Sequence, residues 1–330
     1  MSPDSLSALS DTFFSISVAL YSLAVVAFCA QLAFGRRPAR VRTPQLVGAG
    51  APVDGPADAA PVQPGGEPAV GRRWGAVAMA LTGLGILTHA GVLVCRGLAA
   101  HRLPWGNMYE FGTAVVLVAV VAFAVLAYRA PGLRHIGVFV LAPVVLAMVL
   151  IGLFLYASTA PLVAALRSYW LAIHVTTAIL GFGIFFVSGI ASALYLLRSR
   201  YEAKVSAGGP GEAPAGGLRI VERLPGAAAL DRVAHRTAVF GFPIWTFAVI
   251  AGAIWAESAW GRFWGWDPKE TWAFIAWVVY ASYLHARTTA GWRGRAAAWI
   301  NVVGLVVMVF NLLYVNLVST GLHSYAGVGS

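Results

Sequence analysis

Eight apolar stretches dominate this 330-residue sequence, near residues 12–34, 74–97, 109–129, 136–157, 169–197, 237–256, 272–289 and 297–318. Each is long enough to cross a hydrocarbon core, which takes about 20 helical residues. No water is present there to satisfy an open backbone, so a chain of such segments spans as helices. Composition agrees: 59% of residues are hydrophobic, only 11% are charged, and mean hydropathy is +0.75. A soluble domain carries about 25% charged residues. The expected fold class is therefore all-α, a polytopic integral membrane protein with about eight transmembrane helices.

Basic residues orient the spans. With the loop after the first stretch placed inside, the inner segments collect 18 of the 23 lysines and arginines, leaving Arg96, Arg102, Arg167, Arg262 and Lys269 outside. Positive charge marks the cytoplasmic side, so both termini are expected outside. Anchoring to anionic lipid accounts for the excess charge, and no nucleic-acid partner is expected. The N-terminus lacks a basic n-region and a small-residue cleavage site, so the first helix reads as retained. Cys29 and Cys95 fall near opposite ends of their helices, too far apart to bridge. No CxxC or CxxCH occurs. The bias of 21 arginines to two lysines suggests a GC-rich bacterial genome.

Two inner segments, 43–71 and 202–218, are rich in Pro, Gly and Ala and read as disordered tethers. The outer connectors are short and rich in Trp, His, Asn, Glu and Asp: 99–110, 158–168, the tryptophan-rich stretch around 258–272, and the tail 319–330. Function is expected on the outer face. The chain divides into 1–73, a first transmembrane helix with its cytoplasmic linker, and 74–330, which carries the chemistry. No internal repeat is evident.

The stretch WGRFWGWDPKETW, Trp260 to Trp272, is the densest of these connectors. An aromatic belt at the membrane boundary accounts for Trp255 and Trp299. It accounts poorly for Trp260, Trp264 and Trp266 with Gly261 and Gly265 between them. Indoles offer broad faces and N–H donors, and glycines let a backbone approach closely, so a stacking platform for a flat apolar ligand fits better. Asp267 opens "DPKE", an N-cap followed by Pro at N1 and Glu at N3; capping and a direct ligand role both stay open for Asp267 and Glu270.

Among seven histidines, His174 and His323 fall at similar depth near the outer ends of their helices. Two imidazoles beside an aromatic platform make axial ligation of a metal macrocycle credible. His285 lies roughly 20 Å along its helix from Trp272, at 1.5 Å per residue. That is the inner part of the bilayer, where an ionisable group is a functional candidate; a packing or snorkelling role is the alternative. His89 reads as a packing residue and His101 as a loop-shaping one. His135 and His235, among inner arginines, read as solvated.

These residues carry a family resemblance. "WGRFWGWD" resembles the WGxxWxWD signature of haem-handling proteins of cytochrome c maturation. "WDPKETWAFIAWVVYASYLHAR", "HRLPWGNMYEF" and "GLHSYAG" are similar to the CcsA/ResC branch, labelled CcsB in actinobacteria; Ala100 stands where that branch often has Gly. The similarity runs from about residue 74 to the C-terminus. It implies a haem-binding subunit of a holocytochrome c synthase in the bacterial plasma membrane, with haem b as substrate and bound ligand. A ResB-like membrane protein, apocytochrome c and thiol reductants would be its partners. His174 and His323 match the outer axial ligands of that family, and His285 its intramembrane haem histidine. Trp260, Gly261, Trp264, Gly265, Trp266 and Asp267 match its platform. No catalytic acid or base is evident. Two rivals stand beside this reading: a haem exporter that only delivers haem to a separate chaperone, and a protein-docking role for the aromatic loop.

Overall fold

The computed structural model describes residues 1–35, 68–159, 167–207, 219–289, 291–319 and 321–323. The described residues form helices α1 (Pro3–Gly35), α2 (Ala69–Ala100), α3 (Met108–Arg129), α4 (Gly137–Phe154) and α5 (Tyr169–Ala207). They continue with a short α6 (Arg219–Glu222), then α7 (Ala227–Trp260), α8 (Pro268–Thr288) and α9 (Arg295–Leu317); a 3-10 turn, Pro131–Ile136, precedes α4. No strand occurs among the described residues, so the chain is an all-α polytopic membrane protein.

Among the described residues seven helices are long and apolar enough to cross a membrane, where the sequence suggested about eight. The exception is α8, whose hydropathy is lowered by Trp272, Trp277, Tyr280, Tyr283 and His285. Its partner shows how far it runs. Lys269 at its start bonds to the Asn311 carbonyl in the last turns of α9, and the two form an antiparallel pair. At 1.5 Å per residue, its 21 residues cover roughly 30 Å, the thickness of a hydrocarbon core.

Two packed groups meet on α5. Helices α1–α4 enclose Tyr21, Phe28, Tyr109, Phe123 and Met148. Helices α5, α7, α8 and α9 enclose Phe182, Phe185, Trp245, Tyr280 and Met308, and the Phe185 and Tyr280 rings stack at 3.5 Å. Helix α5 is central: 72% of its apolar window is buried, against 28% for α1, α2 and α7. Apolar side chains left on the outside, such as Leu87, Leu153, Phe240 and Val306, face where lipid tails would lie. Lipid gives helices little apolar drive to associate, so polar bonds between spans matter more. Asn301 of α9 supplies one set, donating to the Ser188 and Ser192 hydroxyls of α5 at 2.8 Å each.

Helices run past the ends expected from hydropathy. Residues 69–71 begin α2 and residues 202–207 end α5, where tethers were expected; the remainder of those tethers, 43–67 and 208–218, lies outside the described residues. Hydropathy finds only the apolar part of a helix, whereas polar ends continue it when their charges find partners. Glu202 accepts from Arg198 one turn earlier at 2.8 Å and from the Ala227 amide opening α7 at 3.1 Å. His135, expected to be solvated, is 3% exposed at the 3-10 turn. Cys29 is an exposed thiol and Cys95 a buried one, with no bond between them.

The two ends of the bundle differ. One gathers Arg198, Arg223 and Arg287, with Arg287 gripping Asp231 bidentately at 2.8 and 2.9 Å and Arg223 bonding to the Leu32 carbonyl. The other is fastened by a buried acid. Glu110, fully buried, accepts from Arg96 at 3.3 Å, from Arg102 at 2.7 Å and from the Gly106 amide at 2.8 Å. Arg96 in turn bonds to the Ala157 carbonyl after α4 and lies 4.6 Å over the Tyr109 ring. Removing one partner of a buried ion pair costs about 3–5 kcal/mol, because the other charge stays buried. Glu110→Ala is therefore expected to cost about 3–5 kcal/mol of stability, read as a lower thermal midpoint in detergent, and adding Arg96→Ala should recover part of the loss.

Candidate functional site

At the Glu110 end, a cavity opens between α3, α5, α7, α8 and α9. It has two lobes, of about 150 Å³ and 50 Å³. His174, Trp245, Trp255, Lys269 and His323 line both. The larger lobe adds Trp105, Asn107, Phe111, Met308 and Asn311; the smaller adds Gly252, Phe263, Trp264 and Glu270.

His174 projects from the first turns of α5 against α7. Its Nδ1 lies 2.8 Å from the Ala248 carbonyl. A carbonyl only accepts, so Nδ1 carries the proton and the ring's lone pair sits on Nε2. Gly252 makes this approach possible: a Cβ there would lie 2.7 Å from His174 Cε1. His323 follows α9, and its Nδ1 lies 2.8 Å from Asp267 Oδ1. The carboxylate fixes the same tautomer, with Nε2 as the basic nitrogen. Trp255 links the two rings. It stacks on His174 at 5.9 Å and 10°, and meets His323 edge-on at 5.7 Å. At 2% exposure it is a buried partition, not the boundary-belt residue the sequence suggested. An aromatic five residues before Trp260 looks interfacial until α5 packs against it.

The loop between α7 and α8 is shorter than residues 258–272, since Trp260 still belongs to α7 and Pro268 already opens α8. Gly261 ends α7 at φ +69, a conformation that favours glycine. Trp260 lies behind the cavity wall, 4.9 Å from His323 and 4.8 Å from Trp255. Trp264 lines the smaller lobe and meets Trp266 edge-on at 5.7 Å. Trp266 lines neither lobe; it is 66% exposed at φ +57, a strained setting for a bulky residue that is worth a functional explanation. The bonds around it hold that strain. Gly265 and Asp267 amides both donate to Glu270 Oε2, at 2.8 and 3.2 Å, and Thr271 donates to the Trp266 carbonyl at 3.2 Å.

Asp267 is an N-cap and a clasp at once. Its carboxylate accepts from the Lys269 amide at 3.0 Å, the Leu322 amide at 2.7 Å and His323. Glu270 completes the capping box and accepts from Arg262 at 3.3 Å. The first outer loop repeats this device. Asn107 caps α3, Glu110 takes back the Gly106 amide, and Arg102 stands eight residues before Glu110, as Arg262 does before Glu270. Two loops, each pinned by an arginine-paired glutamate, thus border one cavity. The likeness is not evident as a sequence repeat because only the Arg, a Trp-Gly pair, the cap and the Glu recur.

His174 and His323 are brought together with Trp264. His285 is not: it sits exposed in the last turn of α8, at the arginine-rich end. His89 is buried against Tyr21, 3.3 Å from its hydroxyl, and His101 ends α2. Lys269, Trp105, Trp245, Asn311 and Trp255 are among the lining residues that the sequence did not single out. Among the described residues no three His, Cys, Asp or Glu gather as a metal-ion site. Two imidazoles on an apolar, aromatic wall suit instead a metal whose other donors come from a macrocycle.

A membrane bundle with a histidine- and tryptophan-walled cavity at one end is thus the class that fold and site define. A family profile, "Cytochrome C assembly protein", matches residues 105–323. The chain belongs to that family. It is 42% identical over 179 residues to the cytochrome c biogenesis protein CcsA of Synechococcus sp. (strain RCC307), a match covering 51% of this chain and 58% of the relative. With CcsA of Guillardia theta it shares 39% over 177 residues, covering 50% and 57%. The chain therefore spans under two thirds of the length of these relatives. In fold it is similar to a solved structure of the cytochrome c haem lyase CcmF, at TM-score 0.60 and 15% identity, covering 94% of this chain and 47% of that one.

Burial alone would raise the Asp267 carboxyl, but the His323 and backbone hydrogen bonds outweigh it and hold its pKa down at about 2, against an ordinary 3.8. Since the folded value lies below the unfolded one, the clasp's contribution is complete above pH 4 and is lost as pH falls towards 2. Asp267→Asn should remove it at every pH. Hydrogen exchange of the 321–323 amides at pH 7 is expected to quicken in that variant, with Leu322 affected most.

Proposed function

We propose that this chain is the haem-binding membrane subunit of a cytochrome c synthase. It holds haem b as substrate at the extracytoplasmic face of the bacterial plasma membrane and presents it for thioether attachment to the CxxCH segment of an apocytochrome. A ResB-like protein completes the synthase, and thiol reductants keep the cysteines available. The haem-handling unit is 74–330, with 1–73 as first span and tether. Arginines at the opposite end from the cavity support this orientation.

The observation that carries the reading is the pair of imidazoles on Trp255, each tied at Nδ1 to an oxygen. A hydrogen bond at Nδ1 orients a ligating histidine and raises its basicity. His174 and His323 would hold the iron at Nε2, while Trp255, Trp260 and Trp264 supply aromatic surface. The lobes, at about 150 and 50 Å³, are below the ~300 Å³ at which small-molecule pockets begin. The walls therefore part to admit a tetrapyrrole. The segment after α9, clasped by Asp267 through Leu322 and His323, is the wall best placed to do so.

Attachment needs little acid–base chemistry. Each thiol adds across a vinyl group, forming one C–S bond and moving the thiol hydrogen to the neighbouring carbon. The chain's contribution is to fix the reactants in attack geometry, an effect that reaches ~10⁵ M in effective concentration. His285, exposed at the inner end of α8, is positioned to meet haem before it reaches the cavity.

His174→Ala and His323→Ala are each expected to lose haem on purification with the partner and to lower cytochrome maturation, with imidazole partly restoring both. Asp267→Asn should weaken haem binding by about 10–100-fold through His323. His285→Ala should deplete haem upstream and not respond in the same way. Unchanged haem content in both outer-histidine variants would refute the ligand assignment. Covalent haem on an apocytochrome co-expressed without a chaperone separates synthase from exporter.

A further inference from the structure

The mechanism above leaves the larger lobe unexplained. Its lining joins His174 and His323 with Trp105, Asn107, Asn311 and Lys269. No acidic residue lines this lobe. Three of its polar groups keep bonding capacity that the fold does not use. Lys269 Nζ bonds to the Asn311 carbonyl at 3.2 Å, which uses one of its three donors. The acid nearest in sequence, Asp267, is engaged by His323 and Leu322. The Trp105 indole nitrogen is buried and has no acceptor. Asn311 is 5% exposed and its side-chain oxygen has no partner. Buried polar groups are nearly always paired, so two unpaired ones around one lobe, beside a lysine with donors to spare, point to a ligand that pairs them.

Their chemistry says which kind. An ammonium, an indole N–H and an amide, whose NH₂ and oxygen exchange places by a flip, make a donor set for a carboxylate. We propose that Lys269, Trp105 and Asn311 form a carboxylate subsite that takes the propionate edge of the haem substrate. This rests on the haem reading above. The consequence is orientation. Propionates and vinyls occupy opposite edges of the macrocycle. Anchoring the acids beside Trp105 turns the vinyl edge towards the smaller lobe and the Trp264 loop, where a docking CxxCH segment meets it. Lys269 is thus a positioning residue, and the first outer loop, pinned by Glu110, is the second jaw of the site.

The test compares haem b with its dimethyl ester, which keeps iron, ring and vinyls but lacks both charges. Both are titrated into the purified protein with its partner, for wild type, Lys269→Gln, Lys269→Arg and Trp105→Phe. Hydrogen bonds to charged groups make ~10-fold preference the expectation for haem over ester in the wild type. Lys269→Gln should bring that ratio close to one, Lys269→Arg should restore it, and Trp105→Phe should reduce it. A purely structural Lys269 would weaken both ligands alike. A wild type that binds haem and ester equally, or a Lys269→Gln ratio equal to wild type, overturns the subsite while leaving the haem reading intact. If neither ligand binds and His174→Ala changes nothing, the haem reading itself has failed. Should Lys269→Gln not fold, the wild-type and Trp105→Phe ratios decide.

Discussion

One carboxylate ties the site to the fold. Asp267 ends the loop after α7, caps α8, holds the segment after α9 through Leu322, and fixes the His323 ring. A capping bond is ordinarily worth about 1 kcal/mol. Here the same oxygens also decide where a candidate metal ligand stands and which of its nitrogens is basic. Local helix signal and site geometry are therefore one interaction, so any change at Asp267 reaches the cavity.

A second constraint borders the same cavity. Glu110 and Glu270 each bury a charge in order to pin a glycine-containing loop, each with an arginine eight residues earlier. Buried ion pairs are weak contributors to stability for the desolvation they cost. What they give here is definition: irregular backbone held still beside a cavity, including Trp266 in a conformation bulky residues avoid. Gly252, where α7 meets His174, adds the close approach that neither loop could provide.

Much of this was legible in sequence. Hydropathy located every long helix, and DPKE located the start of α8, because both signals are local. His174 and His323 could be paired by depth, since helical rise converts residue number into distance. Trp255, Trp105, Lys269 and Asn311 could not. Their roles arise from which helices pack together, and a lone tryptophan or lysine near a membrane boundary looks like an anchor. The span at 272–289 is a different case: tryptophan and tyrosine lower its hydropathy, yet they fasten it to its neighbours, Trp277 to Thr246, Tyr280 on Phe185 and Trp272 against Phe310.

The central claim is that His174 and His323 clasp one iron. Electron paramagnetic resonance of the ferric haem complex, purified with its partner, tests it most directly. The account predicts a low-spin, six-coordinate signal in the wild type that becomes high-spin on replacing either histidine by alanine. A wild-type signal that persists in either variant would contradict it.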